Sequence, residues 1–306
     1  MTEPSADGPF RTGFVSVVGR PNVGKSTLVN RLVGQKVAIV SDKPQTTRNR
    51  ILAVANVPGG QIVLFDTPGL HKPRSRLNER MVEAAVRSLR QVDVVLWLVE
   101  STAEVGAGDQ HVKRLLAAAR RTVVLGLNKI DLVPKPKVLT AIDRFRGLMD
   151  FADIVPFSAL DGENVDRLVS VVLSHLPAGP PLYPEDFLTD EPERVIVSEL
   201  VREQVLRQTR DEIPYATGVV IESFKEGPPL VRIEASVLVE KASQKGILIG
   251  KGGTRLKAIG TAARAEIEAF LGTKVFLGLF VKVRENWRED ASTLESMGLG
   301  ARGRSG

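Results

Sequence analysis

The chain has 306 residues, enough for two domains at about 150 residues each. Its apolar share of 43% and charged share of 25% are those of a soluble globular protein, and its longest apolar run, Val94–Val99, is far short of the ~18 residues that cross a bilayer. The absence of cysteine excludes disulfides, thiolate-bound metals and thiol chemistry, while the net charge of +6 points to an anionic partner without placing it. The opening MTEPSADGPF lacks the basic and apolar regions of a signal peptide, so a cytoplasmic location is expected. In chain order, the short Val-, Leu- and Ile-rich runs Phe14–Gly19, Ile62–Asp66, Val92–Glu100, Thr122–Leu127 and Ile154–Phe157 predict buried strands. The stretches Lys25–Val33, Asn78–Arg90, Asp109–Ala119, Lys135–Met149 and Glu163–His175 predict helices between them. This alternation predicts an α/β domain with a mainly parallel, doubly wound sheet over residues 10–177.

Pro177, Pro180, Pro181, Pro184 and Pro192 then mark residues 178–193 as a semi-rigid linker. Beyond it the order changes. A helix (Arg194–Gln208), two strands (Thr217–Phe224, Val231–Val239), two helices (Ser243–Ile249, Arg255–Leu271) and a strand (Lys274–Val283) predict a smaller α+β domain over 194–290. Residues 291–306 read as a C-terminal tail, with Ala301–Gly306 expected to be disordered. The positive excess lies in residues 1–177, and the remainder is close to balance. Within that remainder, Lys241, Lys245, Lys251, Arg255, Lys257 and Arg264 fall in one stretch with no acid among them.

Gly19-Arg20-Pro21-Asn22-Val23-Gly24-Lys25-Ser26 matches the phosphate-loop pattern, between a predicted strand and a predicted helix that continues with Thr27. The glycines let successive N–H groups face a β-phosphate, Lys25 adds a charge shared by the β- and γ-phosphates, and Ser26 offers a hydroxyl to Mg²⁺. Asp66-Thr67-Pro68-Gly69 closes the strand Ile62–Asp66. There Asp66 can hold Mg²⁺, and the Gly69 N–H can meet the γ-phosphate. Asn128-Lys129-Ile130-Asp131 follows the strand Thr122–Leu127. Asp131 can accept both N1–H and N2–H₂ of guanine, whereas adenine would leave the carboxylate unpaired at a cost of roughly 1–3 kcal/mol. Lys129 is expected to pack its stem over the base, and Asn128 to tie this loop to the phosphate loop. Ser158-Ala159 would support Asp131 and offer the Ala159 N–H to guanine O6. The set predicts a GTP/GDP and Mg²⁺ site.

These motifs, in this order, resemble the TrmE–Era–EngA group of translation-factor-class GTPases, the P-loop GTPase fold. Pro44-Gln45-Thr46-Thr47-Arg48 is similar to that group's first switch, which implies a threonine hydroxyl in the Mg²⁺ shell. Thr47 is favoured, with Thr46 the alternative. Leu70 stands where Ras-like proteins carry a water-orienting glutamine, so another group must assist hydrolysis. The resemblance implies that Asn22 does so by placing K⁺ near the phosphates; the simpler reading makes Asn22 a turn residue. Catalysis is thus expected from Lys25, Thr47, Asp66, Gly69 and Asn22.

In the second domain, Ile249-Gly250-Lys251-Gly252-Gly253 carries a GxxG loop between two predicted helices, inside the acid-free stretch. Glycines there admit a sugar-phosphate backbone, and the α-β-β-α-α-β order fits a type II KH domain that grips single-stranded RNA. Lys245, Ile249, Gly250, Lys251, Gly252, Gly253, Arg255 and Lys257 are the candidate contacts, with Ile247, Leu248 and Ile249 as a floor for the bases. Residues 10–290 together resemble the Era family, bacterial GTPases with a C-terminal KH domain. That resemblance implies 16S rRNA near its 3′ end as partner, a role in small-subunit maturation or assembly, and peripheral association with the inner face of the membrane. Lys72–Arg90 could serve that association or touch RNA. A monomer is the default. The competing reading is a GTPase whose KH-like domain docks a protein or a membrane.

Overall fold

The computed structural model describes residues 8–44, 46–69, 89 and 91–299. Gln45, Leu70, the predicted helix Asn78–Arg90 apart from Leu89, the basic segment Lys72–Arg90 and the tail Ala301–Gly306 lie outside the described residues, as does most of the opening decapeptide. The chain forms two compact units.

In the first unit, strands β1 (Arg11–Gly19), β2 (Ile51–Val57), β3 (Gly60–Asp66), β4 (Val94–Glu100), β5 (Thr122–Asn128) and β6 (Asp153–Pro156) form one sheet in the order β2-β3-β1-β4-β5-β6. All neighbours are parallel except β2 and β3, an antiparallel hairpin turned at Pro58-Gly59 with Val57 opposite Gly60. Helices α1 (Lys25–Val33), α2 (Ala107–Ala119), α3 (Lys135–Arg146) and α4 (Val165–Ser174) follow β1, β4, β5 and β6. The strands are buried on both faces, which is why they read as continuous apolar runs. One layer gathers Val15, Val17, Leu64, Leu96 and Leu168; the other gathers Val18, Phe65, Trp97, Leu125 and Phe145. Strand β2 escaped the sequence reading because its apolar run follows a polar loop with no alternation to mark it.

The proline-rich stretch is not a spacer. Residues up to Asp190 belong to the first unit and lie along the sheet edge. Gln61 Oε1 accepts from the Leu182 and Tyr183 N–H groups at 2.8 and 2.9 Å, the Val54 N–H donates to Leu188 O at 2.8 Å, and Thr189 Oγ1 donates to Leu52 O at 2.6 Å. An edge tolerates prolines because half of its N–H groups need no partner.

The second unit comprises the segment Ile39–Thr46 and the chain from Glu191 onward. Its elements are α5 (Glu193–Gln208), α6 (Ile213–Ala216), β7 (Gly218–Lys225), β8 (Val231–Val239), α7 (Ala242–Ile249), a 3₁₀ turn (Lys251–Gly253), α8 (Thr254–Leu271), β9 (Val275–Val283), a second 3₁₀ turn (Trp287–Glu289) and α9 (Ala291–Ser296). β8 pairs antiparallel with β7 and parallel with β9. Helices α5, α7 and α8 cover one sheet face, burying Leu200, Val205, Leu248, Ile259 and Ile267 against Ile233, Val237 and Val281. The expected tail from 291 is instead part of this unit: Asp290 caps α9, and Trp287, Leu294, Met297 and Leu299 are buried. Among the described residues, no helix is long and apolar enough to cross a membrane.

Candidate functional site

The loop between β1 and α1 bends through Asn22 at φ +66° and Gly24 at φ +96°. Glycine is required at 24, since a Cβ there would sit 2.2 Å from Asn128 Nδ2. Asn22 takes the left-handed conformation of a turn residue. Lys25 is buried, and its Nζ donates to the Arg20 carbonyl at 3.0 Å and to the Gly19 carbonyl at 3.4 Å. The Arg20 side chain turns away to Asp109 on α2, at 3.0 Å, so only its backbone faces the loop. Pro21 packs against Gly69, joining the loop to the turn after β3. Thr67 is anchored by its Oγ1 to Val17 O at 2.7 Å.

Three oxygens from three separate motifs converge beside Lys25. Ser26 Oγ is 2.9 Å from Thr47 Oγ1, Ser26 Oγ donates to Asp66 Oδ2 at 2.6 Å, and Thr47 Oγ1 donates to the same oxygen at 3.4 Å. Thr46 Oγ1 instead donates back to Lys43 O at 2.6 Å, so of the two candidate threonines only Thr47 faces the cluster. Asp66 is fully buried, and its Oδ1 has no hydrogen-bond partner. Burial pushes the Asp66 carboxyl above the usual carboxylate range, against the pull of Lys25 and the two hydroxyls. Burial likewise pushes Lys25 down to about 8, against Asp66. Both charges are short of solvation, the state of groups whose counterparts arrive with a ligand: an anion at Lys25 and a hard cation among Ser26, Thr47 and Asp66.

The base-side loops are tied by Asn128, 1% exposed, whose Nδ2 donates to Val23 O at 2.7 Å and whose Oδ1 accepts from the Ala159 N–H at 2.9 Å. Two expectations change here. The Ala159 N–H is already bonded to Asn128, and Ser158 Oγ accepts from the Asp161 N–H at 3.1 Å instead of bracing Asp131. The first has its cause in the buried Asn128 carboxamide, which must be satisfied within the protein. Asp131 is exposed at the mouth, in the 3₁₀ turn Ile130–Leu132. Lys129, at φ +64°, places its Nζ 2.7 Å from Glu100 Oε2. Arg31 of α1 was not foreseen: its Nε donates to Ala159 O at 2.7 Å and its Nη2 to Leu160 O, bracing the last loop. Only its place on α1 could have signalled this.

In the second unit the GxxG loop caps α7. Lys251 and Gly252 are exposed; Gly252 has φ +61° and open space over its Cα, so a backbone can approach it. Beside the loop, α8 and β9 enclose a groove of about 380 Å³ lined by Gly253, Leu256, Lys257, Gly260, Arg264 and Leu279, among others. Its apolar wall therefore comes from α8 and β9. Leu248 is wholly buried in the core and so is not part of the expected floor, while Ile249 is half-buried against that core and Ile247 is exposed. Arg255 Nη1 is tied back to Ile247 O at 2.5 Å, outside the groove lining, and Lys245 and Gly250 also lie outside it.

Family comparison agrees with both sites. A model described as 50S ribosome-binding GTPase matches residues 14–129, and one described as KH domain matches 212–288. The chain is 55% identical to GTPase Era of Geobacter metallireducens, over 96% of this chain and 99% of that one, and 54% identical to that of Geotalea uraniireducens, over 94% and 98%. Among solved structures it is similar to Era in complex with MgGDPNP and nucleotides 1506–1542 of 16S ribosomal RNA, with a TM-score of 0.92 and 40% identity over 95% of this chain and 100% of that one. An Aquifex aeolicus Era variant bound to GDP·AlF₄⁻ gives a TM-score of 0.91 at the same identity and coverage. With its phosphate loop, guanine loop and GxxG groove in place, the chain belongs to the Era family of GTPases and carries a KH domain.

Proposed function

We propose that the chain is a GTP-hydrolysing switch that binds 16S rRNA near its 3′ end and acts in maturation or assembly of the small ribosomal subunit, in the cytoplasm and as a monomer. The observation that carries the first half is the convergence of Ser26, Thr47 and Asp66 beside Lys25. Lys25 neutralises charge on the β- and γ-phosphates, and the loop N–H groups from Asn22 to Thr27 cradle them. Ser26, Thr47 and Asp66 hold Mg²⁺, which when bound neutralises charge developing on the phosphate oxygens. Gly69 donates its N–H to the γ-phosphate, so its loop senses hydrolysis. Asp131 reads guanine, Lys129 covers the base face, and Asn128 keeps the two loops in register. Asn22 helps hold K⁺ near the phosphates.

The second half rests on the groove, the GxxG loop beside it, and the RNA-bound relative. Lys251, Lys257 and Arg264 meet phosphates, while Leu256, Gly260 and Leu279 receive bases. The double substitution Lys251→Asp with Gly252→Asp tests it. Affinity for a synthetic RNA of the 16S 3′ end should fall about a hundredfold or more, with GTP affinity unchanged. Unchanged RNA affinity would turn the reading towards a domain that docks a protein or a membrane.

A further inference from the structure

The turn after β4 carries no nucleotide motif, yet it lies directly beside the guanine loop, because β4 and β5 run parallel with Glu100 opposite Asn128. All of the residues concerned belong to the first unit. The turn holds the loop by its backbone and by a side chain. The Ser101 N–H donates to Asn128 O at 2.9 Å, and Ser101 Oγ donates to the next carbonyl, Lys129 O, at 2.7 Å. Glu100 Oε2 accepts from Lys129 Nζ at 2.7 Å, while its Oε1 accepts from Thr102 Oγ1 at 2.6 Å. Partial burial would raise the Glu100 carboxyl, but the bonds from Lys129 and Thr102 outweigh it and hold the group below the usual range, ionised against the ammonium. Ser101 is 1% exposed, so the Lys129 carbonyl is the partner that keeps its hydroxyl satisfied.

What the turn fixes is a residue in an unusual conformation. Lys129 has φ +64° and ψ +39°, the left-handed region, which a lysine keeps only where its surroundings impose it. It is also the residue from which the 3₁₀ turn Ile130–Leu132 starts, and its carbonyl accepts the Leu132 N–H at 3.1 Å. Asp131 stands in the middle of that turn, exposed to solvent. The bearing of its carboxylate therefore depends on the backbone at Lys129, and Ser101 sets that backbone from the end of the neighbouring strand. We infer that Ser101 is a positioning residue for guanine recognition, fixing the Lys129 carbonyl so that the Asp131 carboxylate meets both N–H groups of the base. This rests on the reading of Asp131 as the group that accepts from guanine.

The test uses the full chain as wild type, Ser101→Ala and Asp131→Asn, each checked for folding by thermal melting. Affinities for GTP and for inosine triphosphate are measured by competition with a fluorescent nucleotide. Inosine keeps N1–H and O6 but lacks the 2-amino group, so the ratio of the two affinities reports how well the carboxylate reaches that group. Ser101→Ala should weaken GTP binding about tenfold and lower the ratio several-fold, because a misplaced carboxylate loses the second bond first. Asp131→Asn should bring the ratio close to one. A folded Ser101→Ala protein with the wild-type ratio overturns the inference, as does one that loses both nucleotides in equal proportion, the mark of a loosened fold. If Asp131→Asn itself keeps the wild-type ratio, the reading of Asp131 fails and the inference with it. If only Asp131→Asn lowers the ratio, that reading stands and the role of Ser101 alone falls. Should Ser101→Ala not fold, Ser101→Cys keeps the shape with only a weak donor and is read by the same outcomes.

Discussion

The nucleotide site and the KH groove hold their polar groups in opposite ways. Around the phosphate loop the motif side chains are buried and already bonded to one another: Asn128 links Val23 to Ala159, and Ser26 links Thr47 to Asp66. In the second unit, Lys251, Gly252 and Lys257 stand exposed beside an apolar wall of Leu256 and Leu279. A buried network discriminates sharply, because one wrong atom strands a polar group with no water to replace its partner. An exposed basic rim attracts phosphates broadly, and each charge contributes modestly and in proportion to salt. Nucleotide recognition should therefore be brittle once a bound base shuts water away from Asp131, and RNA binding graded.

The largest expected effect sits at the brittle end. Asp131→Asn exchanges an acceptor for a donor where guanine offers N–H groups, so GTP affinity should fall about a hundredfold or more. Xanthosine triphosphate, which carries an oxygen at that edge, should gain correspondingly. Competition with a fluorescent nucleotide measures both. Retained GTP preference would show that the exposed Asp131 carboxylate does not read the base.

The contrast also explains what the sequence made legible. The nucleotide motifs are contiguous, each lies directly after a strand, and their chemistry is in the side chains named, so Lys25, Ser26, Asp66, Asn128 and Asp131 could be picked out. What stayed hidden depends on the partner chosen in the fold. The Ala159 N–H goes to Asn128 because that carboxamide is buried, a fact no tripeptide carries. Arg31 acts from an unremarked position on α1. The groove wall joins Gly260 on α8 to Leu279 on β9 across a separation that no local pattern spans. The prolines after 177 were seen, but their docking along β2 and β3 needed the sheet edge itself.

Next in size is the cation effect at Asn22. Replacing K⁺ with Na⁺ at constant ionic strength should reduce kcat about tenfold or more if a monovalent ion substitutes for an arginine finger. An equal rate in both salts assigns Asn22 to the turn alone, in keeping with its φ of +66°. A smaller effect is expected at Gly260, where an added Cβ would meet only Leu279 Cδ2 at 3.8 Å. Gly260→Ala should raise the stability of α8 by about 0.5–1 kcal/mol. It should also narrow the groove, weakening RNA binding by a few-fold and leaving GTPase activity alone. Tighter RNA binding would show that the space over Gly260 is not where a base lies.

The smallest effect probes a polar network in the second unit that is only partly shielded from water. Asp290 accepts from the Thr293 hydroxyl, from Ser292 Oγ at 3.0 Å and from the Thr293 N–H at 3.0 Å, and pairs with Arg284 at 2.8 Å. These hold its carboxyl below the ordinary aspartate range, the Thr293 and Ser292 hydroxyls first. The folded state thus binds this proton less readily than the unfolded chain does. Its contribution is present above the unfolded value of about 3.9 and is lost as pH falls through the lower, folded value. Asp290→Asn keeps a good cap residue and removes only the charge. The variant should melt below wild type at neutral pH, and the gap should close as the buffer is taken below about pH 3. A gap that stays constant with pH would mean that shape, and not charge, is what Asp290 gives α9.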